Sequence, residues 1–198
     1  MLFAASTHMR AAIFFATREG QTRRIASRIA VDLRVHGAAV DVFDVRTDIT
    51  ASSSIDWSQY STVFVAASVH GGHHEREMIA FVKRHRAALE RLSAAFISVT
   101  LSEAGAKDPN KSPAERELAS TDARRMIDVF VQETGWRPAR ALPVAGALTY
   151  SKYNIFIRFV MKRIARKAGA PTDASRDYEF TNWPALDHFV EELSESPA

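Results

Sequence analysis

The feature that most constrains the fold is a regular alternation of short apolar runs with amphipathic helical patterns. Five apolar runs recur along the chain: RAAIFFA (10–16), AAVDVFDV (38–45), STVFVAAS (61–68), AAFISVTL (94–101) and RALPVAGALTY (140–150). Apolar residues at helical spacing fill most of the intervals between them. Strands that are separated by helices form parallel sheets covered on both faces, and near-continuous apolar character suits such strands. The sequence therefore predicts an α/β fold with a five-stranded parallel sheet.

The helical patterns indicate how the chain is divided. The first pattern ends at Gly37, the second runs from Met78 to Leu92, and the third begins at Leu118. Two closing helices follow, and the last starts near Asn182 with a proline in its first turn. Residues 102–116, SEAGAKDPNKSPAER, are predicted to form a long polar loop. We expect one domain over residues 10–194, with residues 1–9 as an N-terminal extension.

Composition excludes several classes of protein. The chain has 198 residues, which suits one domain with a sizeable core. It contains no cysteine, which rules out disulfides, thiolate chemistry and cysteine metal sites, and which agrees with a reducing cytoplasm. No apolar run approaches the length that a bilayer-spanning helix needs.

The net charge of +3 is concentrated in one segment. Residues 151–168, SKYNIFIRFVMKRIARKA, contain 6 of the 26 basic residues and no acid, so the rest of the chain carries 20 basic against 23 acidic residues. A nucleic-acid binder spreads its basic charge over a face, so nucleic acid is not an expected partner. The helix over 152–167 is either a core helix with solvated cations or a basic amphipathic helix that contacts an anionic membrane.

The first inter-element turn, ATREGQT (16–22), offers hydroxyls, an amide and a flexible glycine at the start of a helix. A helix N-terminus presents unpaired N–H groups and a partial positive charge, which suit a phosphate. Arg18 could add a positive charge. The turn is neither a Walker A motif nor a GxGxxG dinucleotide turn. The alternative is a capped helix without a ligand.

Several motifs, in order, resemble one family. FFATREGQTRRIASRIA (14–30) is similar to the phosphate loop of flavodoxin-like FMN proteins, with T-x-x-G-x-T after the first strand. The further motifs are AASVHGGHHEREMIAFVKRH (66–85), FISVTLS (96–102), TGWRPAR (134–140), VAGALTYSKYNIFIRFVMKRIARKAG (144–169) and DYEFTNW (177–183). Together they resemble the bacterial menaquinone-dependent protoporphyrinogen dehydrogenase family over nearly all of residues 10–194. The resemblance implies a flavodoxin-like three-layer α/β/α sandwich with strand order 2-1-3-4-5.

The same resemblance implies where FMN binds. The phosphate would contact the first loop, and the ring would lie between the loop after strand three and the end of strand four. The implied residues are Thr17, Arg18, Glu19, Gly20, Gln21 and Thr22 for the phosphate, and Ser68, Val69, His70, Gly71, Gly72, His73, Thr100 and Leu101 for the ring. Gly71 and Gly72 would permit a close approach of backbone to the ring. No metal is expected, because the histidine-containing loop lacks an obvious carboxylate partner at suitable spacing.

The activity implied by the resemblance is oxidation of protoporphyrinogen IX to protoporphyrin IX in haem biosynthesis, with menaquinone or ubiquinone as the acceptor. The flavin would be the redox group. No catalytic base is identified, although His70 or His73 could assist. Neither ring loop contains an aromatic residue beside the flavin, and the chain is basic, whereas carrier flavodoxins are usually acidic. An electron carrier, an NAD(P)H-dependent quinone reductase and a flavin-free remnant remain alternatives.

Substrate contacts are expected around the flavin. The loop at 102–116 is either a mobile surface connection or a flap over the flavin, where Lys107 and Lys111 would meet substrate carboxylates. Tyr150, Lys152, Tyr153 and Arg158 would lie at the porphyrinogen mouth. A quinone acceptor resides in the bilayer, so the protein is expected in the cytoplasm, with peripheral contact to the inner face of the cell membrane through the basic helix. A homo-oligomer is left open.

Overall fold

The computed structural model describes residues 9–49, 54–152 and 172–195. The strands are β1 (Arg10–Ala16), β2 (Ala39–Asp44), β3 (Thr62–His70), β4 (His73–His74), β5 (Ser93–Thr100), β6 (Arg140–Ala145), β7 (Ala147–Leu148) and β8 (Tyr178–Glu179). The α-helices are α1 (Gln21–Val35), α2 (Arg76–Leu89), α3 (Leu101–Ala106), α4 (Pro113–Thr134) and α5 (Trp183–Glu195). Short 3₁₀ turns occupy Trp57–Gln59 and Tyr150–Lys152.

The central sheet has the order β2-β1-β3-β5-β6, and all four of these pairings are parallel. Counted among the parallel strands alone, this is the predicted order 2-1-3-4-5. The order changes direction between β1 and β3, because β2 lies on one side of β1 and the later strands on the other. Ligands of open α/β sheets bind beyond the carboxyl ends of the strands at such a switch point.

Helices cover both faces of the sheet, which confirms the predicted three layers. Alternate residues of β1 divide between two cores: Ile13 packs with the apolar face of α1 and α5, whereas Phe14 packs with that of α2 and α4. The buried face of α1 recurs at helical spacing through Ile25, Ile29 and Leu33. Burial of each such side chain contributes about 1.5–3 kcal/mol. The sheet edge that holds the loops is therefore supported by two well-packed layers.

The prediction of a polar loop over residues 102–116 is wrong. The side chain of Thr100 accepts a hydrogen bond from Ser102 N and begins α3, so the chain turns helical directly after β5. Ser112 and Glu115 then form a capping box, with Pro113 in the first turn of α4. Only residues 107–112 separate the two helices. Local capping hydrogen bonds outweigh the polar composition of this segment, and a long flap is absent from it.

The last predicted strand is also shorter than expected. β6 ends at Ala145, and β7 leaves the main sheet to form an antiparallel pair with β8. Phe180 N donates to Gly146 O, which fixes the returning chain beside the end of β6. The basic helix predicted over 152–167 lies, apart from Lys152, outside the described residues. Among the described helices, none combines the length and apolar character that a bilayer-spanning segment requires.

Candidate functional site

A narrow slot opens at the carboxyl end of the sheet, at the switch point. Its volume is about 50 Å³, and four chain segments line it. The lining residues are Thr17, Glu19, Gln21, Thr22, Ser68, Val69, His70, Val99, Thr100, Leu101, Gly146 and Ala147. The structure thus brings the three predicted loops together at one place. Gly146 and Ala147, which sequence reasoning did not assign to the site, join them because β6 ends beside β5.

The first loop ends in a helix N-terminus with no side-chain cap. Gly20 is the N-cap of α1 with φ 99°, a left-handed conformation that glycine adopts without strain. Thr17 Oγ1 accepts a hydrogen bond from Gly20 N at 3.0 Å and so shapes the turn. The first N–H groups of a helix have no intrahelical acceptor. They are left to a ligand here, because Gly20 has no side chain with which to cap them.

The Thr22 hydroxyl is the feature of the first loop that most favours a ligand. Its Oγ1 is fully buried, and no hydrogen-bond partner for it exists within the described part of the chain. Buried hydroxyls are almost always hydrogen-bonded in folded proteins. A phosphate oxygen placed against the first turn of α1 would satisfy Thr22 and the N–H groups together. The residues present therefore fit the phosphate of a nucleotide-like cofactor.

Two predicted phosphate contacts are engaged elsewhere. The Gln21 amide donates to Glu179 Oε1 at 2.7 Å and to Thr181 Oγ1 at 2.8 Å, which ties the loop to the chain after β7. Arg18 Nε donates to Glu75 Oε2 at 3.0 Å instead of pointing into the slot. Within the slot this loop therefore offers hydroxyl and backbone donors, whereas Arg18 lines the cavities beside the slot.

The loop after β3 is a tight β-hairpin. Val69 pairs with His74 and His70 with His73, and Gly71 and Gly72 form the two-residue turn with φ 60° and 85°. Positive φ at both positions is the geometry of a type I′ turn. A Cβ at either glycine would meet no protein atom within 4 Å, so the turn conformation is what favours glycine within the protein itself, and close approach to a ring stays a prediction. Ser68, Val69 and His70 reach the slot.

Charged side chains from the first loop and from the hairpin region meet in a group that we call the ring-side charge cluster: Arg18, Glu19, His70 and Glu75. His70 Nε2 lies 3.1 Å from Glu19 Oε2 and 3.2 Å from Glu75 Oε1. The Glu75 side chain is fully buried. The expectation that this loop lacks a carboxylate partner is wrong, because Glu75 directly follows the hairpin and Glu19 comes from the first loop. No group of three ligating side chains within the described residues is arranged to hold a metal ion.

The contacts of the cluster set its protonation. Burial alone would lower the pKa of His70, but hydrogen bonds to Glu19 and Glu75 outweigh burial and raise that pKa to about 9. Burial would raise the pKa of Glu75, yet hydrogen bonds from His70 and Arg18 lower it to about 2. At neutral pH, His70 is an imidazolium between carboxylates. A protonated ring cannot accept a further proton, so His70 does not fit the role of a general base.

The neighbouring histidines differ sharply from His70. His74 is buried, accepts or donates one hydrogen bond with Ser98 Oγ at 2.9 Å, and packs edge-on against Phe96 and Phe130. Burial among these rings lowers its pKa to about 4, so it is neutral at physiological pH. His73 is exposed on the outer strand of the hairpin. Of the three, only His70 faces the slot.

The end of β5 forms the opposite wall. Thr100 caps α3, and Leu101 is its first residue, so both sit at the strand end as predicted. Gly146 N donates to Thr100 O at 3.2 Å, which holds the fourth segment against this wall. A Cβ on Gly146 would lie 3.3 Å from Val99 Cγ1, so a larger residue would crowd the slot. The described lining contains no Phe, Tyr or Trp.

Two larger cavities flank the slot and share residues with it. One of about 420 Å³ lies on the phosphate side, where Arg23 and Arg46 add cations that sequence reasoning missed. Arg46 donates to Thr17 O at 2.7 Å and so supports the first loop directly. The other, of about 630 Å³, lies beyond the hairpin and shares His70 with the slot. Gly71 and His73 line this second cavity and not the slot.

Neither Lys107 nor Tyr150, two of the predicted substrate residues, lines the slot. Lys107 is exposed at the end of α3, with Nζ 3.8 Å from Glu103 Oε1. Tyr150 is fully buried in a small cluster with Leu148 and does not line the slot. Lys152 ends a 3₁₀ turn, and Tyr153 and Arg158 lie outside the described residues. A role for these residues in substrate binding stays a prediction.

A parallel sheet of order 2-1-3-4-5, with a phosphate-type helix N-terminus at its switch point, defines a flavodoxin-like protein. Residues 12–175 match the family model described as a flavodoxin domain, and the chain therefore belongs to the flavodoxin family. The chain is 33% identical over 186 residues to protoporphyrinogen IX dehydrogenase [quinone] of Escherichia coli strain K12, covering 94% of this chain and 95% of that protein.

Two more distant proteins agree with this placement. Protoporphyrinogen IX dehydrogenase [quinone] of Leishmania major is 27% identical over 197 residues, covering 98% of this chain and 78% of that protein. Among solved structures, oxidised flavodoxin 1 of Bacillus cereus superposes with a TM-score of 0.51 at 16% identity, covering 96% of this chain and 99% of the flavodoxin. At that identity the structural match supports the fold alone.

Proposed function

We propose that this protein is an FMN-dependent oxidoreductase that oxidises protoporphyrinogen IX to protoporphyrin IX in haem biosynthesis and passes the electrons to a quinone. The observation that carries the proposal is that the slot unites the flavin-loop motifs, in a chain similar over 94% of its length to a protoporphyrinogen IX dehydrogenase [quinone]. We also propose that residues 10–194 form one FMN-binding domain.

The first loop would hold the cofactor phosphate. Thr22 Oγ1 and the N–H groups at the start of α1 are the donors, and the N-terminal partial charge of α1 favours an anion. Thr17 and Arg46 keep the loop in shape through Gly20 N and Thr17 O. The groups proposed to bind the phosphate directly, the Thr22 hydroxyl and the backbone N–H groups, are therefore uncharged.

The ring would lie between the hairpin and the end of β5. Ser68, Val69 and His70 form one wall of the slot, and Thr100 and Leu101 form the other. When bound, FMN supplies two-electron redox chemistry, which the side chains of this protein lack. The protein would orient the ring between these two walls, and the described lining of the slot offers no Phe, Tyr or Trp to stack on it.

Anaerobic titration of the FMN-loaded protein tests this function. Protoporphyrinogen IX should bleach the flavin absorbance, and a menaquinone analogue should then restore it. Bleaching by NADPH, but not by porphyrinogen, would instead indicate an NAD(P)H-dependent quinone reductase. Stable uptake of a single electron per flavin from a chemical reductant, without any response to porphyrinogen, would indicate an electron carrier. A protein that gains no absorbance with FMN would overturn every flavin-based function.

We further propose peripheral contact with an anionic membrane from the cytoplasmic side. The support is the charge of residues 152–167 together with an acceptor that resides in the bilayer. Co-sedimentation with vesicles tests it: the protein should bind vesicles containing anionic lipid and release in high salt, and equal binding to neutral vesicles would contradict the proposal. The same preparation in analytical ultracentrifugation tests for a homo-oligomer.

A further inference from the structure

Glu75 is a buried carboxylate whose position is not explained by packing. Its side chain is fully buried, although it sits at the N-cap position of α2 and does not cap that helix. Burying an ionised carboxylate is costly unless donors satisfy its oxygens. Glu75 accepts from Ser68 Oγ at 3.0 Å and from Arg18 Nε at 3.0 Å, and His70 Nε2 lies 3.2 Å away. Each of these partners belongs to a predicted flavin loop.

The cluster links two loops that are far apart in sequence. Glu19 and Arg18 come from the loop after β1, whereas His70 lies on the hairpin after β3. Nε2 of the imidazole lies 3.1 Å from a Glu19 carboxylate oxygen and 3.2 Å from a Glu75 carboxylate oxygen, so the two acids share one ring nitrogen. It is also the only basic residue in the described lining of the slot, because Arg18 lines the flanking cavities instead. Glu19 lines the same slot, so the charge that the slot presents depends on whether His70 stays protonated beside that carboxylate.

We propose that Glu75 is a positioning residue of the flavin site: its buried carboxylate holds His70 as a cation on the wall of the slot, where it balances the negative charge that the bound cofactor gains on reduction. This inference rests on the proposed function, since it requires FMN in the slot. Glu75 touches neither cofactor nor substrate and acts only through His70 and Arg18.

The charged groups around His70 determine how it titrates. Glu19 faces it from the first loop and Glu75 from the start of α2, while Arg18 contacts Glu75 on the opposite side. His74, on the antiparallel strand, is held neutral by burial, which lowers its pKa to about 4. Removing one of two carboxylates beside an imidazolium lowers the pKa of the imidazole by about 1–3 units. Glu75→Gln should therefore let His70 lose its proton closer to neutrality.

The first experiment follows the His70 ring by NMR across pH in the full-length protein without FMN. In the wild type the imidazole should titrate near pH 9, and in Glu75→Gln the midpoint should fall by about 1–3 units. Glu77→Gln is the matched control, because Glu77 is exposed and contacts Arg46 at 3.7 Å rather than His70. An unchanged His70 titration in Glu75→Gln would overturn the inference whether or not the protein binds flavin.

The second experiment measures the midpoint potential of bound FMN against pH by spectroelectrochemistry. The slope should steepen near pH 9 in the wild type and Glu77→Gln, and at lower pH in Glu75→Gln. His70→Gln should lack this change and have a lower potential at neutral pH, since a cation has been removed. A potential in His70→Gln equal to that of the wild type would overturn the inference while leaving the proposed oxidoreductase intact. If Glu75→Gln does not fold, His70→Gln alone decides.

Discussion

The two sides of the slot handle charge in different ways. The first loop faces its ligand with a hydroxyl and backbone N–H groups, and its buried Thr22 hydroxyl has no partner among the described residues. On the hairpin side the charged groups already contact one another: His70 Nε2 lies 3.1 Å from Glu19 Oε2 and 3.2 Å from Glu75 Oε1. The first loop has donors that suit an anionic ligand, whereas the charged side chains on the hairpin side are paired with one another. A cofactor with a phosphate at one end and a redox ring at the other suits this division.

The two sides of the slot also differ in how far apart in sequence the residues that build them lie. The first loop is specified within a few residues, by Thr17, Gly20 and the helix that follows. The hairpin side depends on chain segments 57 residues apart, as in the Arg18–Glu75 hydrogen bond. Substitutions on the first side should therefore affect phosphate affinity directly, while those on the second should act through pH and loop position.

The largest effect is expected on the phosphate side. Thr22→Val removes the buried hydroxyl but keeps the shape, so FMN loses a hydrogen bond to its charged end, worth about 1.5–3 kcal/mol. Fluorescence titration should show FMN affinity lowered about tenfold to hundredfold. Ser27→Ala, which removes an exposed hydroxyl from the same helix, is the control. Equal affinities for Thr22→Val and the wild type would show that the phosphate does not bind here.

The second prediction concerns pH and the hairpin side. Since the folded pKa of His70 is raised from 6.5 to about 9, its stabilising contribution is complete below pH 6.5 and is lost as pH rises towards 9. Linkage converts a shift of this size into at most about 3 kcal/mol in the free energy of unfolding. Urea unfolding at a series of pH values measures it. In His70→Gln this alkaline decline should disappear, and its persistence would contradict the charge assignment.

The acid side of the same profile has other origins and provides an internal comparison. The pKa of His74 is lowered to about 4 by burial, so its contribution is present above pH 6.5 and is lost as pH falls towards 4. The pKa of Glu75 is lowered from 4.5 to about 2, and its contribution disappears between those values. The acid decline should therefore remain in His70→Gln, apart from the part of the Glu75 shift that His70 itself causes.

A third, smaller effect should come from the hairpin turn. Gly72 has φ 85° with open space around it, so Gly72→Ala introduces backbone strain of about 1 kcal/mol without a steric clash. Gly72→Asn is the matched control, because asparagine tolerates the left-handed region. Thermal unfolding should rank wild type, Gly72→Asn and Gly72→Ala in decreasing stability. If alanine equals asparagine, the type I′ turn does not constrain the hairpin.

The smallest effect is expected at Gly146, which lies in the chain segment after β6 that lines the slot. Gly146→Ala places a Cβ 3.3 Å from Val99 Cγ1, a contact that a shift of a few tenths of an ångström relieves. We expect FMN affinity to fall about threefold, equivalent to roughly 0.6 kcal/mol, with unfolding unchanged. Isothermal titration calorimetry with urea unfolding in parallel checks both. Weaker folding with unaltered FMN affinity would place Gly146 outside the cofactor site.

The sequence predicts the sheet well because its strands are rich in apolar residues and because α1, α2 and the pair α3 and α4 connect them; between β2 and β3 the described residues form only the 3₁₀ turn Trp57–Gln59. Ile13 and Phe14 face opposite cores as a doubly covered sheet requires. The conformation of the first loop is also predictable, because the residues that shape its turn are close together in the sequence. The prediction fails at 102–116, where the Thr100 cap and the Ser112–Glu115 capping box outweigh a polar composition. An S-x-x-E spacing was the available signal for that helix start.

The ring-side charge cluster could not be predicted from local pattern. The sequence assigns no role to Glu75, and its burial follows only from the hairpin that turns β4 back along β3. His70 reads as a candidate base until Glu19, 51 residues earlier, is found 3.1 Å away. Gly146 enters the site because β6 lies beside β5 and β7 then leaves the sheet. These contacts arise from tertiary structure, which spacing along the chain does not encode.

A crystal structure of the protein with FMN is the most direct test of the account. We expect the phosphate within hydrogen-bonding distance of Thr22 Oγ1 and the N–H groups that open α1, and the ring between the Ser68–His70 wall and the Thr100–Leu101 wall. A phosphate bound elsewhere, or Thr22 Oγ1 turned inward to a main-chain acceptor with FMN present, would contradict the assignment of the site and the redox function that depends on it.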